Sequence, residues 1–331
     1  MEQKPPTMQQ VARAAGVSVA TVSRVVNGLT PEHSPTARRV RQAIVQLGFR
    51  PSRLGRNLKT ATTATLGLVV PSLDNPIFAA STEGVRARAK ALGYSLLLTA
   101  TSYDRSGEEQ AVETLLSHHV DGIILTVGDP DEAPVLRTLD AIGLPYVLLY
   151  NQPTRSDRPA VTVDNVAAAR ALVERLTAAG HRRIGMVAGH FSASDRQRLR
   201  WIGFEDAIAR AGLLPGPVIE VDFDATSLTD RLAAVLQAPE PPTALFCSTD
   251  ILALAVFGAA GQLGLAVPRD LSLVGFDGIA LSGLLRPALT TVIQPSREAK
   301  YTKRPSGENF RIRAVWPVSR PSSRARKLTM P

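Results

Sequence analysis

Gly16-Val17-Ser18-Val19-Ala20-Thr21-Val22-Ser23-Arg24-Val25-Val26-Asn27 is the stretch that decides how the first fifty residues fold. Glycine adopts a positive φ without steric cost, and a single residue separates Gly16 from Ser18, a helix-capping type, so two helices must meet here at a sharp angle. Upstream, Met8, Val11, Ala12 and Ala15 share one helical face, and Thr7 sits where a cap belongs. Downstream, Val22, Val25 and Val26 make an inward stripe, which leaves Val19, Ala20, Ser23 and Arg24 outside. That outer face is small, hydroxylated and basic, whereas a merely solvated helix would use the better helix formers Glu, Lys and Gln. Small side chains permit close approach, hydroxyls reach phosphate oxygens, and arginine forks onto guanine O6 and N7. On this stretch alone, an ordinary capped helix with one surface arginine is the alternative.

The next segment weighs against that alternative. Ser34-Pro35 is a cap followed by a first-turn proline, and Val40, Ile44 and Leu47 form a third apolar stripe that closes a three-helix unit. Thr7-Met8-Gln9-Gln10-Val11-Ala12, Ala15-Gly16-Val17-Ser18, Thr21 through Gly28 and Gly48-Phe49-Arg50-Pro51 resemble the headpiece of the lactose/galactose repressor (LacI/GalR) family. The resemblance implies that Val19 and Ala20 are the base-reading pair and Arg24 a further base contact. It also implies that Ser18, Thr21, Ser23 and Asn27 hold phosphates and that Thr7 is a further DNA-binding residue.

Composition is consistent with this and bounds the rest. The 331 residues, 44% of them hydrophobic, suffice for two or three domains. No apolar run has the length of a membrane span, and the first six residues lack an apolar signal core, so a cytoplasmic protein is expected. A single cysteine, Cys247, excludes an internal disulfide framework. The net charge of +9 is unevenly spread: residues 1–62 hold 10 basic against 2 acidic side chains, 63–298 hold 19 against 26, and 299–331 hold 9 against 1. A basic headpiece is what phosphate neutralisation requires, and an acidic middle is not a nucleic-acid surface.

Residues 51–62 are long enough for a two-turn helix, which is marginal alone in water. The family resemblance makes them the hinge, with Arg53 a DNA contact and Leu58 the wedge levered between base steps in the minor groove. From Thr65, short unalternating Leu, Ile and Val runs alternate with helical stretches, the signature of parallel strands buried on both faces. The expected fold is therefore α/β: a helix-turn-helix headpiece (1–50), a hinge (51–62) and two doubly wound halves like periplasmic binding proteins. The first half is assigned 63–160 and 289–298, the second 161–288.

In such a core, ligands bind between the strand C-terminal ends. Asn75 and Phe78 follow the first strand, Tyr150 a later one, Arg200 lies in a second-half helix, and Asp250 and Asp277 end strands. Arginine and carboxylates pair with hydroxyls and carboxylates, and aromatic faces stack on sugar rings. By resemblance, Arg200, Asp250 and Asp277 occupy the polar effector positions and Phe78 a wall. A small-molecule effector, carbohydrate in kind, is expected in the cleft, with a near-palindromic operator bound by a homodimer.

No catalysis, cofactor or metal is expected, because the sequence lacks a phosphate-cradling glycine loop and histidines at zinc-ligand spacing. Residues 299–331, basic and rich in Pro and Ser, depart from the family and lack helical periodicity, which predicts disorder. A shifted reading frame after about residue 298 produces such a tail, as does divergence, and either leaves the first half without its last helix. A small-molecule-binding protein or a repressor impaired by that tail is the alternative function.

Overall fold

The computed structural model describes residues 6–50, 62–222, 228–295 and 311–313, and the chain divides into two compact units, 1–63 and 64–331. In the first unit, α1 (Met8–Ala15), α2 (Val19–Val26) and α3 (Pro35–Leu47) follow the expected order. Thr7 accepts from the Gln10 amide at 3.3 Å while the Gln10 side chain accepts from the Thr7 amide at 2.7 Å, a reciprocal cap announced by the Thr-x-x-Gln spacing. Gly16, at φ 62°, stops α1, and the Ser18 hydroxyl caps α2 by accepting from the Thr21 amide at 3.2 Å.

Val11, Ala12, Ala15, Val22 and Val25 pack against Ala37, Val40 and Ala43 of α3. Leu47, expected in the inward stripe, is instead 38% exposed. The left-handed Gly48 turns the chain back, the Phe49 amide bonds to the Ile44 carbonyl, and Phe49 takes the buried place.

The second unit contains two sheets, parallel except for the last strand of the second. β1 (Thr65–Val70), β2 (Ser95–Ala100), β3 (Gly122–Leu125), β4 (Tyr146–Leu149) and β5 (Ala160–Val161) form the first, in the order β2-β1-β3-β4-β5. Its helices are α4 (Pro76–Ala91), α5 (Arg105–Ser117) and α6 (Pro134–Ile142). The second sheet contains β6 (Ile184–Gly189), β7 (Val218–Val221), β8 (Ala244–Cys247), β9 (Ser272–Asp277), β10 (Thr290–Ile293) and β11 (Arg311–Arg313), ordered β11-β10-β9-β8-β6-β7. Its helices are α7 (Asn165–Ala178), α8 (Asp195–Arg210), α9 (Leu228–Leu236) and α10 (Asp250–Gln262).

The two halves thus repeat one strand order, with the strand that is first in sequence lying second from one edge and a switch point beside it. In the second half, α7 and α8 cover one face through Leu172, Leu176, Phe204 and Ile208, and α9 and α10 cover the other through Leu232, Leu252 and Val256. In the first half, α5 and α6 cover one face through Leu115 and Leu139, and α4 lies on the other through Ile77 and Phe78. Among the described residues, no helix is long and apolar enough to cross a membrane.

Two boundary expectations need correction. Residues 290–293, assigned to the first half, pair in parallel with Val274–Asp277 of the second sheet; a four-residue run of Thr-Thr-Val-Ile does not encode which sheet edge it joins. In the tail expected to be disordered, Arg311–Arg313 pair antiparallel with Thr291–Ile293. The remainder of that tail and hinge residues 51–61 lie outside the described residues.

Candidate functional site

In the headpiece, burial of Val22 and Val25 leaves the opposite side of α2 outward, with Val19 42% exposed and Ala20 and Arg24 exposed beside it. The Ser18 and Thr21 hydroxyls hydrogen-bond each other at 2.9 Å, and the Asn27 amide donates to the Ser23 hydroxyl at 3.3 Å. One pair stands at the start of α2 and the other at its end, on different sides of the helix, and Thr7 presents its capped hydroxyl at the start of α1. Arg24 has no ion-pair partner among the described residues, whereas Glu32, the one acid in residues 6–50, lies 3.4 Å from Arg41. The face is therefore an uncompensated cation flanked by small and hydroxylated side chains, shaped for close approach to a polyanion. Arg53 and Leu58 lie outside the described residues.

In the second unit, strand ends from both halves converge on a recess of about 20 Å³ lined by Asn75, Phe78, Tyr150, Arg200 and Asp277, among others. It shares Asn75, Tyr103 and Thr249 with a wider opening of about 760 Å³. Asn75 caps α4 by accepting from the Ile77 amide at 3.1 Å, which aims this side chain at the recess; it faces the Asp277 carboxyl and the Tyr103 hydroxyl. Phe78 meets the Tyr150 ring edge-on at 5.7 Å, and the Tyr150 hydroxyl bonds to Ser81.

Arg200 is enclosed. Its Nε donates to Asn165 Oδ1 at 2.9 Å and its NH1 to the Ser248 carbonyl at 2.6 Å, with Asp277 Oδ1 at 3.5 Å and the Phe276 ring 3.7 Å beneath. Burial lowers its pKa to about 10 despite the Asp277 charge, so it stays cationic at neutral pH. Burial likewise raises Asp277 above the usual carboxylate range, against the opposing pull of Arg200. Four oxygens on the recess wall have no hydrogen-bond partner among the described residues: Asp277 Oδ2, Gln294 Oε1, Gln197 Oε1 and Ser194 Oγ. Buried unpaired acceptors are costly, so the recess is chemically incomplete without a donor.

The halves are also stapled beside the recess. Asp195 accepts from Asn151 Nδ2 at 2.8 Å and the Gln152 amide at 3.0 Å, its own amide donates to the Gly128 carbonyl at 2.7 Å, and Arg196 donates to the Val127 carbonyl at 3.1 Å. Gln152 Oε1 accepts from Asn165, which in turn accepts from Arg200, so the staple and recess form one network.

Asp250 departs from the expectation. Its carboxyl lines neither cavity but accepts from the Ile279 amide at 2.9 Å and from the Ser282 and Thr291 hydroxyls at 2.5 Å each. Its place as first residue of α10, just after the Thr249 cap, turns it into its own half, where it ties the turn after β9. The other five expected residues converge. Sequence reasoning missed Tyr103, Ser194, Arg196, Gln197 and Gln294; the available signal was position, since each follows a strand C-terminus or opens the helix beyond it.

With this geometry in hand, similarity to known proteins becomes informative. Residues 7–52 match a family model described as bacterial regulatory proteins, lacI family, and residues 63–300 match one described as periplasmic binding proteins and sugar binding domain of LacI family. Catabolite control protein A of Priestia megaterium is 34% identical over 87% of each chain. The HTH-type transcriptional repressor PurR of Aliivibrio salmonicida is 33% identical over 89% of each. Among solved structures, the lac repressor dimer bound to operator and the anti-inducer ONPF aligns with a TM-score of 0.78, 29% identity and 89% coverage of each chain. A complex of the transcriptional regulator CelR with cellobiose gives a TM-score of 0.60 and 30% identity over 88% of this chain and 89% of that one.

Proposed function

The chain belongs to the LacI family of bacterial regulatory proteins, and from that premise we propose that it is a non-enzymatic, cytoplasmic repressor controlled by a neutral sugar or sugar derivative. The effector occupies the wider opening of about 760 Å³ and reaches, past Asn75, into the recess lined by Phe78, Tyr150, Arg200 and Asp277, which by itself has room for about one water. The observation that carries this reading is the set of four unpartnered oxygens beside an aromatic floor. Ligand hydroxyls supply the missing donors, rings stack on apolar faces, and the free Asp277 oxygen disfavours an anionic ligand.

On the DNA side, Val19 and Ala20 meet thymine methyls, Arg24 forks onto guanine, and Thr7, Ser18, Thr21, Ser23 and Asn27 hold phosphates. Arg53 and Leu58 complete the contact through the hinge. A two-fold homodimer reads two half-sites of a near-palindromic operator. An effector that binds differently to the stapled and opened arrangements of the halves shifts their balance, and so the grip on DNA.

A thermal-shift screen of neutral sugars beside sugar phosphates and sugar acids tests the effector class. A ligand at about 100-fold above its Kd adds about 2.7 kcal/mol of stability. Stabilisation by a neutral sugar, lost in Arg200→Ala, is expected; stabilisation by anionic compounds alone overturns the reading.

A further inference from the structure

Asn75, Tyr103 and Thr249 line both the recess and the wider opening, and so form the neck between them. Two of the three are pinned. Asn75 caps α4, and the Thr249 hydroxyl caps α10 by accepting from the Leu252 amide at 3.2 Å. Tyr103 belongs to no helix or strand; it stands in the turn Thr101-Ser102-Tyr103-Asp104, closed by the Asp104 amide on the Thr101 carbonyl at 3.0 Å. As a residue it is half-buried, with one side toward the opening. Its hydroxyl reaches inward to the Asn75 side chain, and burial pushes the phenol up to about 12.

The turn that carries Tyr103 is strained. Both central residues have positive φ, Ser102 at 55° and Tyr103 at 59°, in positions that glycine, asparagine and aspartate ordinarily fill. Its ends are tied: Asp104 caps α5 by accepting from the Gly107 amide at 2.9 Å, and a Cβ on Gly107 would fall 2.5 Å from the Thr101 carbonyl oxygen, so α5 sits directly against the turn. Of the six non-glycine residues with positive φ among the described residues, Ser102, Tyr103, Tyr150 and Asp277 line these two cavities. Such strain persists only where neighbours hold it, and it gathers at ligand clamps and switches. Here Tyr103 is held by Asn75, which also bonds to Asp277, and by the apolar cluster of Phe78 and Tyr150.

We propose that Tyr103 is the gate of the effector site. Seated, its ring fills the neck and shuts the recess. When Ser102 and Tyr103 leave the left-handed region, the ring swings into the opening, and Asn75 is freed to donate to a ligand hydroxyl that enters behind it. This rests on the reading that an effector lies in the opening and reaches the recess. It makes Tyr103 a determinant of specificity as well. A group that passes the neck must offer Asn75 an acceptor in place of the phenol oxygen and bring donors to the unpartnered oxygens beyond; a hydroxyl does both and an apolar substituent neither.

The test uses the full-length protein without ligand, labelled with meta-fluorotyrosine and read by fluorine relaxation dispersion, which reports microsecond-to-millisecond exchange. The Tyr103 line is identified by its loss in Tyr103→Phe. Dispersion is expected on that line and not on those of Tyr94 and Tyr146. Ser102 is exposed, so substitution there alters the turn without touching the core. Ser102→Val, whose β-branched side chain resists positive φ, is expected to raise the minor-state population at least about fivefold, and Ser102→Asn, which tolerates it, to lower it by a similar factor. No dispersion at Tyr103 in any of the three proteins, or populations indifferent to Ser102, overturns the proposal. Equal dispersion at Tyr94 and Tyr146 assigns the motion to the halves as a whole and overturns it equally. Because no ligand is present, the outcome is independent of the effector's class: a moving Tyr103 beside a failed neutral-sugar screen keeps the gate and discards only the sugar.

Discussion

Arg200 is fully enclosed, so its charge must be met from within: two neutral acceptors hold its nitrogens and Asp277 supplies the counter-charge. Removing one member of a buried pair leaves the other uncompensated, at a cost of about 3–5 kcal/mol. Asp277→Asn is therefore expected to lower stability by that order in urea unfolding at pH 7. Asp250→Asn should cost less, because the Ser282 and Thr291 hydroxyls can reverse and accept. Equal losses would show that Asn165 and Ser248 alone satisfy Arg200. In the headpiece, Arg24→Ala removes a fork worth about 1–3 kcal/mol of base discrimination while leaving the phosphate contacts. Competition gel shifts should then show sequence selectivity reduced by roughly tenfold or more with non-specific binding only modestly weaker; unchanged selectivity refutes the role. Single residues were legible where periodicity assigns a face, as for Val19 and Arg24. They were not legible where a strand-end aspartate can turn either way: Thr249-Asp250 and Phe276-Asp277 read alike, and only the α10 cap sends Asp250 into its own half.

At the scale of elements, helix crossing distance is set by what lies at the contact. Gly203→Ala forces α7 and α8 apart, and overpacking of this kind costs about 1–3 kcal/mol. Gly258, exposed in the interior of α10, has nothing within 4 Å of an added Cβ; Gly258→Ala is expected to gain about 0.5–1 kcal/mol through helix propensity. Thermal melts of the two variants should move in opposite directions, and a stabilised Gly203→Ala would contradict the close crossing. Helices and strands were largely legible, because continuous Leu, Ile and Val runs alternate with capped helical stretches. The sheet that β10 joins was not, since edge pairing depends on the neighbour that arrives from elsewhere in the chain.

For the whole core, burial raises Glu108, Asp195 and Asp277 near the junction of the halves, and Asp250 within the second half, above the usual carboxylate range, Asp250 to about 7. The architecture of two doubly wound halves was legible from alternation, but this coupling was not, because partners such as Asn151 and Asp195 come together only across the staple. A folded-state pKa above the unfolded value means the native chain holds protons the unfolded chain has released. That contribution is fully present below about pH 4 and is lost as pH rises through the folded values. The exposed hydrogen bonds that lower Asp104 and the surface ion pairs that lower Asp157 and Asp206 act oppositely but are solvent-screened, so they contribute little. Stability should therefore fall between about pH 4 and 7, with Asp250 accounting for at most about 4 kcal/mol of the change. Asp250→Asn, neutral throughout, should flatten the profile without abolishing it, since three other carboxyls remain. Urea midpoints measured across that range test the sign directly: a midpoint that rises with pH, or an Asp250→Asn profile parallel to the parent's, would show that the hydrogen bonds to Asp250 outweigh its burial.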